Sequence, residues 1–167
     1  VEYCEIAGAT NPTDGMAIDF DGWTVNSTYR YIYSHDNVRF MKNCVFDSKT
    51  KNAGNTVRDC VSVNDNGKMN WGAICLVSKS RPSLGKMADF SFRDNVIVNG
   101  KPILWLCTSE PEVENVRLTA SPAGAFFQKV FNFFVSPKNF SYTAPAAEEL
   151  DGLIREITAR LPEAESK

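Results

Sequence analysis

An all-β solenoid of about four to five coils, followed by a C-terminal α-helix, is the fold this sequence predicts, and three observations predict it. Short β-branched and aromatic runs, broken by Asn, Asp, Gly and Lys, fill residues 1–135. They form two sets that alternate along the chain and recur roughly every 20–35 residues, the spacing of stacked repeats. One stretch of helical periodicity follows them.

The first set comprises Val1–Ile6, Tyr29–Asp36, Val57–Asn64 and Phe92–Asn99. Aligned on Arg30, Arg58 and Arg93, its members lie 28 and 35 residues apart, and the opening run fits the same frame 28 residues earlier. Their fourth positions are Cys4, Ile32, Cys60 and Asn95. The second set comprises Met16–Phe20, Val38–Met41, Gly72–Leu76 and Pro102–Leu106, with Ile18, Phe40, Ile74 and Leu104 taken as equivalent. Two interleaved strand columns joined by polar turns describe a coil wound as a β-helix, each turn stacking on the last at about 4.8 Å. An antiparallel sandwich competes, because Asp14-Gly15, Asp21-Gly22, Asn66-Gly67 and Asn99-Gly100 suit hairpins. The recurring arginine frame favours the solenoid, since a sandwich has no reason to contain it.

Residues 109–144 become irregular, and the Phe-rich segment 124–134 is expected to be a last coil or an end cap, because so many exposed Phe would be insoluble. A helix is expected over 146–161. Leu150, Leu153, Ile154, Ile157 and Leu161 form one stripe, Glu148 and Glu149 complement the N-terminal dipole, and Pro162 ends it. The stripe suits either the flank of the solenoid or a partner chain. The organisation expected is thus coils over 1–135 and an extension over 136–167.

At 167 residues and 43% apolar composition, the chain suits a single domain with a real core. Eighteen basic against twenty acidic residues, a net charge of −2, argue against a nucleic-acid partner. No stretch approaches eighteen uncharged apolar residues, so no membrane span is expected. The chain opens at Val1 without an initiator Met, as a mature product or a fragment would. Cys4, Cys44, Cys60, Cys75 and Cys107 include no Cys-x-x-Cys pair and read as small buried residues.

The run Asp14–Asp21, then Tyr31–Asn37, then Asn55–Asp65 resembles the right-handed parallel β-helix proteins related to pectate lyases, common among secreted bacterial carbohydrate-active enzymes. The likeness covers roughly residues 1–108, and Tyr33-Ser34-His35-Asp36-Asn37 is its most specific part. The chain is shorter than those enzymes and departs from them at Val38-Arg39, so it resembles the C-terminal part of such a β-helix. The resemblance implies a right-handed parallel coil, a secreted or cell-surface (extracellular or periplasmic) bacterial protein, and a poly- or oligosaccharide partner.

On the strand Met16–Asp21, Asp19 and Asp21 share one face about 6.5–7 Å apart. That spacing is near the one inverting glycosidases use, and two carboxylates so close push one pKa upward. The same residues also suit a solvated face or a turn at Asp21-Gly22. His35 is the lone histidine, able to change charge near neutral pH or to act only as a turn residue beside Asp36 and Asn37. Asp36 is a candidate substrate contact or a turn residue bonding backbone amides. The coil register places Arg39 and Lys42 beside Asp19 and Asp21, either as an ion pair or, as the resemblance implies, to neutralise and deprotonate an acidic sugar. Trp71 is a candidate sugar platform or a packing residue. No cofactor is required, although Asp14, Asp19 and Asp21 offer hard oxygen ligands for calcium. The function expected is polysaccharide cleavage, by a glycoside hydrolase with Asp19 and Asp21 as acid and base or by a lyase using Arg39, Lys42 and His35. The alternative is a non-catalytic glycan-binding or structural module, or part of a larger enzyme. An open coil end makes homo-oligomers reasonable.

Overall fold

The computed structural model describes residues 1–45, 52–65, 74–78, 87–98, 104–106, 112–119, 140–141 and 145–161. Trp71, Cys107, the turns Asn66-Gly67 and Asn99-Gly100, the Phe-rich segment and the chain from Pro162 onward lie outside them. The described residues are mostly strands in parallel sheets, with one C-terminal helix.

The nine-stranded sheet contains β1 (Glu2–Ala7), β3 (Thr28–His35), β6 (Thr56–Arg58), β7 (Val61–Val63), β10 (Ser91–Arg93), β11 (Val96–Val98), β13 (Glu112–Glu114), β14 (Val116–Thr119) and β15 (Phe140–Ser141). The four-stranded sheet runs β2 (Met16–Phe20), β4 (Arg39–Val45), β8 (Ile74–Ser78), β12 (Leu104–Leu106). A short pair, β5 (Asn52–Ala53) and β9 (Met87–Ala88), is extended by a bridge from Val25 to Ala53. Every pairing among them is parallel. No hairpin joins them, so the antiparallel sandwich does not describe these residues.

The arginine frame is the true register: Glu2, Arg30, Arg58, Arg93 and Glu114 pair in succession. The second set is offset by one residue at two places. Ile18 pairs with Met41 rather than Phe40, Met41 with Ile74, and Leu104 with Cys75 rather than Ile74. Phe40 and Met41 are both fully buried, so alternation does not mark the face there. Ile18, Phe20, Ile32, Phe40, Met41, Val57, Cys60, Ile74, Phe92, Ile97 and Val116, with Phe90, form one core between the two large sheets.

The runs Val57–Asn64 and Phe92–Asn99, expected as single strands, are each divided by a bend. The residue after each frame position is left-handed: Tyr3, Tyr31, Asp59, Asp94 and Asn115 have φ between 47° and 54°. Two further columns repeat the device, at Gly8, Asp36 and Asn64 and at Asn26, Gly54 and Asp89. Asn, Asp and Gly tolerate this region, whereas for Tyr it is uncommon and costs energy. Buried amides satisfy the backbone at these corners. Asn37 Oδ1 accepts from Ala9 N (2.8 Å), Asn55 Oδ1 from Ser27 N (2.9 Å) and Asn95 Oδ1 from Cys60 N (3.0 Å). Each ties one pass of the chain to the one before, leaving no orphaned N–H at those turns.

The helix α1 spans Ala147–Thr158, within the 146–161 expected, and ends as Ala159 N donates to Arg155 O. It packs on β1 and β3, with Ile157 buried, so its stripe covers the flank of the nine-stranded sheet. Arg117–Glu149 (2.7 Å) and Arg160–Tyr3 (2.7 Å) hydrogen bonds fasten it.

Candidate functional site

Parallel pairing of β2 with β4 sets Asp19 directly beside Lys42. Lys42 Nζ lies 3.3 Å from Asp14 Oδ1, 3.8 Å from Asp19 Oδ2 and 3.9 Å from Asp21 Oδ1. The lysine is only 8% exposed, whereas the side chains of Asp19 and Asp21 are 33% and 61% exposed, so an ammonium sits beneath an acidic rim. The carboxylates that offered oxygen ligands for calcium converge instead on Lys42, and no group of three or more metal-binding side chains occurs among the described residues.

Burial pushes the Asp19 carboxyl above its ordinary value; Lys42 pulls it down, while Asp21 and Asp14 add to the rise. Asp19 Oδ1 is buried with no hydrogen-bond partner among the described residues, which is consistent with that desolvation. Burial opposes the charge on Lys42, yet Cys44, Asp19, Asp14 and Asp21 together hold its pKa above the ordinary lysine value. Lys42 is therefore a fixed cation and not a general base near neutral pH.

Arg39 is fully buried and is not offered to a ligand, contrary to the substrate contact expected of it. Its Nη1 and Nη2 donate to the carbonyls of Thr13 (3.4 Å) and Pro12 (3.3 Å), and its N–H donates to Gly15 O (3.1 Å). It thereby fixes the loop that carries Asp14. Gly15 permits the close approach, since a Cβ there would lie 2.4 Å from Asn11 O and 2.6 Å from Ala9 O.

His35 and Asp36 lie on the other sheet and do not join Asp19 and Asp21. His35 Nδ1 is 2.8 Å from Asp36 Oδ2, Nε2 is 3.0 Å from Glu5 Oε1, and the ring stacks on Tyr33 at 4.7 Å. The Asp36 hydrogen bond raises the His35 pKa; burial lowers it and Glu5 adds to the rise. Asp36 in turn is held low by His35 and by Asn64, whose Nδ2 donates to its Oδ1 at 2.6 Å. The amide-bonding role expected of Asp36 belongs to its neighbours. Beneath it, buried Asp65 accepts from Asn37 N (2.9 Å), Ser34 Oγ (2.5 Å) and Ser62 Oγ (2.7 Å).

Two features escaped the sequence. Trp23 is 67% exposed and left-handed (φ 73°), at a turn closed by Thr24 N and Oγ1 donating to Asp21 O. Its position two residues beyond Asp21 was the available signal. An open groove of about 440 Å³ runs past Thr28, Thr56, Arg30, Arg58 and Arg93. The recurrence of arginine at one frame position was legible, but not the side of the sheet it faces.

No helix among the described residues is long and apolar enough to cross a membrane. No known family profile, curated protein or solved structure matches the chain.

Proposed function

We propose that the chain is a right-handed parallel β-helix over residues 1–135, from a secreted carbohydrate-active bacterial protein of the pectate-lyase-like kind, and that it hydrolyses a polysaccharide at Asp19 and Asp21. The observation that carries the catalytic part is the unequal environment of two carboxylates gathered on one ammonium: Asp19 half-buried and raised, Asp21 exposed. A half-buried carboxyl with a raised pKa is suited to the acid role, which assigns it to Asp19. Asp19 donates its proton to the glycosidic oxygen as the C–O bond breaks. Asp21 takes a proton from the water whose oxygen bonds to the anomeric carbon. Both lie within 4 Å of one nitrogen, so these two oxygens are less than about 8 Å apart, a bound that covers the retaining separation of about 5 Å and only the lower end of the inverting range of about 6.5–9.5 Å. Elimination is less well supported, because Lys42 stays protonated and His35 lies on the other sheet.

A second reading, a non-catalytic glycan-binding module or part of a larger enzyme, is favoured by one observation: an open groove lies over Arg30, Arg58 and Arg93. A polysaccharide screen reading reducing ends together with ultraviolet absorbance of unsaturated products separates the two. Reducing ends without absorbance, lost in Asp19→Asn and Asp21→Asn, are expected. Absorbance would replace hydrolysis by elimination, and silence on every substrate would favour the binding module.

A further inference from the structure

Lys42 divides its charge unequally among three carboxylates. Its Nζ donates a hydrogen bond to Asp14 Oδ1 at 3.3 Å, but lies 3.8 Å from Asp19 Oδ2 and 3.9 Å from Asp21 Oδ1, beyond hydrogen-bond reach. The parallel register of β2 and β4 sets the backbones of Asp19 and Lys42 side by side, whereas Asp14 reaches the ammonium from the loop before β2. That loop is tied down on both sides. Asn11 Oδ1 accepts from Thr13 N (2.9 Å) and Asp14 N (3.3 Å), and Arg39 donates to the carbonyls of Pro12 and Thr13. The Asp14 side chain is itself 58% exposed, so the loop and not burial fixes its place. The carboxylate beside Lys42 in register is thus not the one that holds it. A tight ion pair with Asp19 would instead favour the charged form of that carboxyl.

We propose that Asp14 is a positioning residue that holds the Lys42 ammonium off Asp19, so that Asp19 keeps the proton it donates. The proposal rests on the reading of Asp19 as the acid of the hydrolysis. Asp14 acts twice in one direction. Its own negative charge opposes a second one on Asp19, and its hydrogen bond withdraws the cation that would stabilise that charge. Without it, an ammonium with little access to water is left with Asp19 and Asp21, of which Asp19 is the nearer. The charged groups facing Asp19 are Lys42, Asp21, Asp14 and Arg39, and all of them belong to β2, β4 or the turns beside them. Lys42 in turn faces Cys44, Asp19, Asp14 and Asp21, and Cys75 is its register partner on β8.

The test follows the Asp19 carboxyl by carbon-13 shifts against pH in the whole chain, in Asp14→Asn, in Lys42→Met and in the double variant, and reads polysaccharide cleavage in parallel. Asp14→Asn is expected to lower the Asp19 midpoint. The alkaline limb of the cleavage profile, where the acid loses its proton, is expected to move down with it. Near neutral pH the rate is expected to fall about tenfold, part of the roughly 10²–10⁴-fold that a general acid supplies. In the Lys42→Met background the Asp14→Asn shift is expected to shrink, since no ammonium remains to be released and only direct repulsion is lost. An Asp19 midpoint unmoved or raised by Asp14→Asn overturns the proposal. So does a shift of equal size with and without Lys42, which would make Asp14 a neighbouring charge and not a positioning residue. The titration needs no substrate, so these shifts in a wild type that cleaves nothing would uphold the positioning and fault only the hydrolysis reading.

Discussion

Asp65 illustrates how single residues couple the fold to pH. It is wholly buried, and burial raises its pKa despite hydrogen bonds from Ser34, Ser62 and Asn37 that lower it. For an acid raised in the folded state, the stabilisation is complete below the unfolded pKa near 3.8 and is lost as pH climbs through the higher folded value. Asparagine already fills the comparable turn-bonding role at Asn37, Asn55 and Asn95. Asp65→Asn is therefore expected to keep the fold and to remove this loss above pH 4. Asp65→Ala, which orphans the donors, is expected to cost about 1–3 kcal/mol. Denaturant unfolding of the three proteins across pH 4–8 measures both effects; a wild-type slope that survives in Asp65→Asn would contradict it.

Strands and turns explain what the sequence could and could not reveal. The Arg30, Arg58 and Arg93 frame was legible because one side chain type recurs where the backbone recurs, and the register follows it. The second column slipped by a residue because Phe40 and Met41 are buried together, which erases alternation. The bends at Asp59 and Asp94 hid inside β-like runs, and Tyr3 and Tyr31 masked the column by occupying a conformation that Asn or Gly usually fills. Arg39 looked like a substrate contact because sequence gives charge but not depth. Trp23 belongs at this scale too. A left-handed, exposed Trp is strained without the compensation of burial, so Trp23→Gly is expected to raise stability by about 1 kcal/mol. Thermal unfolding checks this, and a clear loss of stability would mean that the indole packs in a way its exposure denies.

At the scale of the whole molecule, the sheets leave edges as well as a groove. Among the described strands β1 pairs only with β3, and β2 only with β4, so each is an edge of its described sheet. Such edges recruit further strands. A second copy pairing there would give concentration-dependent dimers by light scattering, whereas a monomer at high concentration would mean the edge is protected. The acidic cluster and the arginine groove stand on different sheets. That separation was legible in the sequence, because the two interleaved strand sets already placed Arg30, Arg58 and Arg93 in one column and Asp19 in the other.

Carboxyl carbon-13 chemical shifts of Asp19 and Asp21, followed against pH, test most directly whether one cluster holds both an acid and a base. Asp19 is expected to titrate above the ordinary aspartate value of 3.8, and higher still in Lys42→Met, which removes the cation that pulls it down. An Asp19 that titrates at or below that value would make the cluster an ion-pair knot with no acid in it.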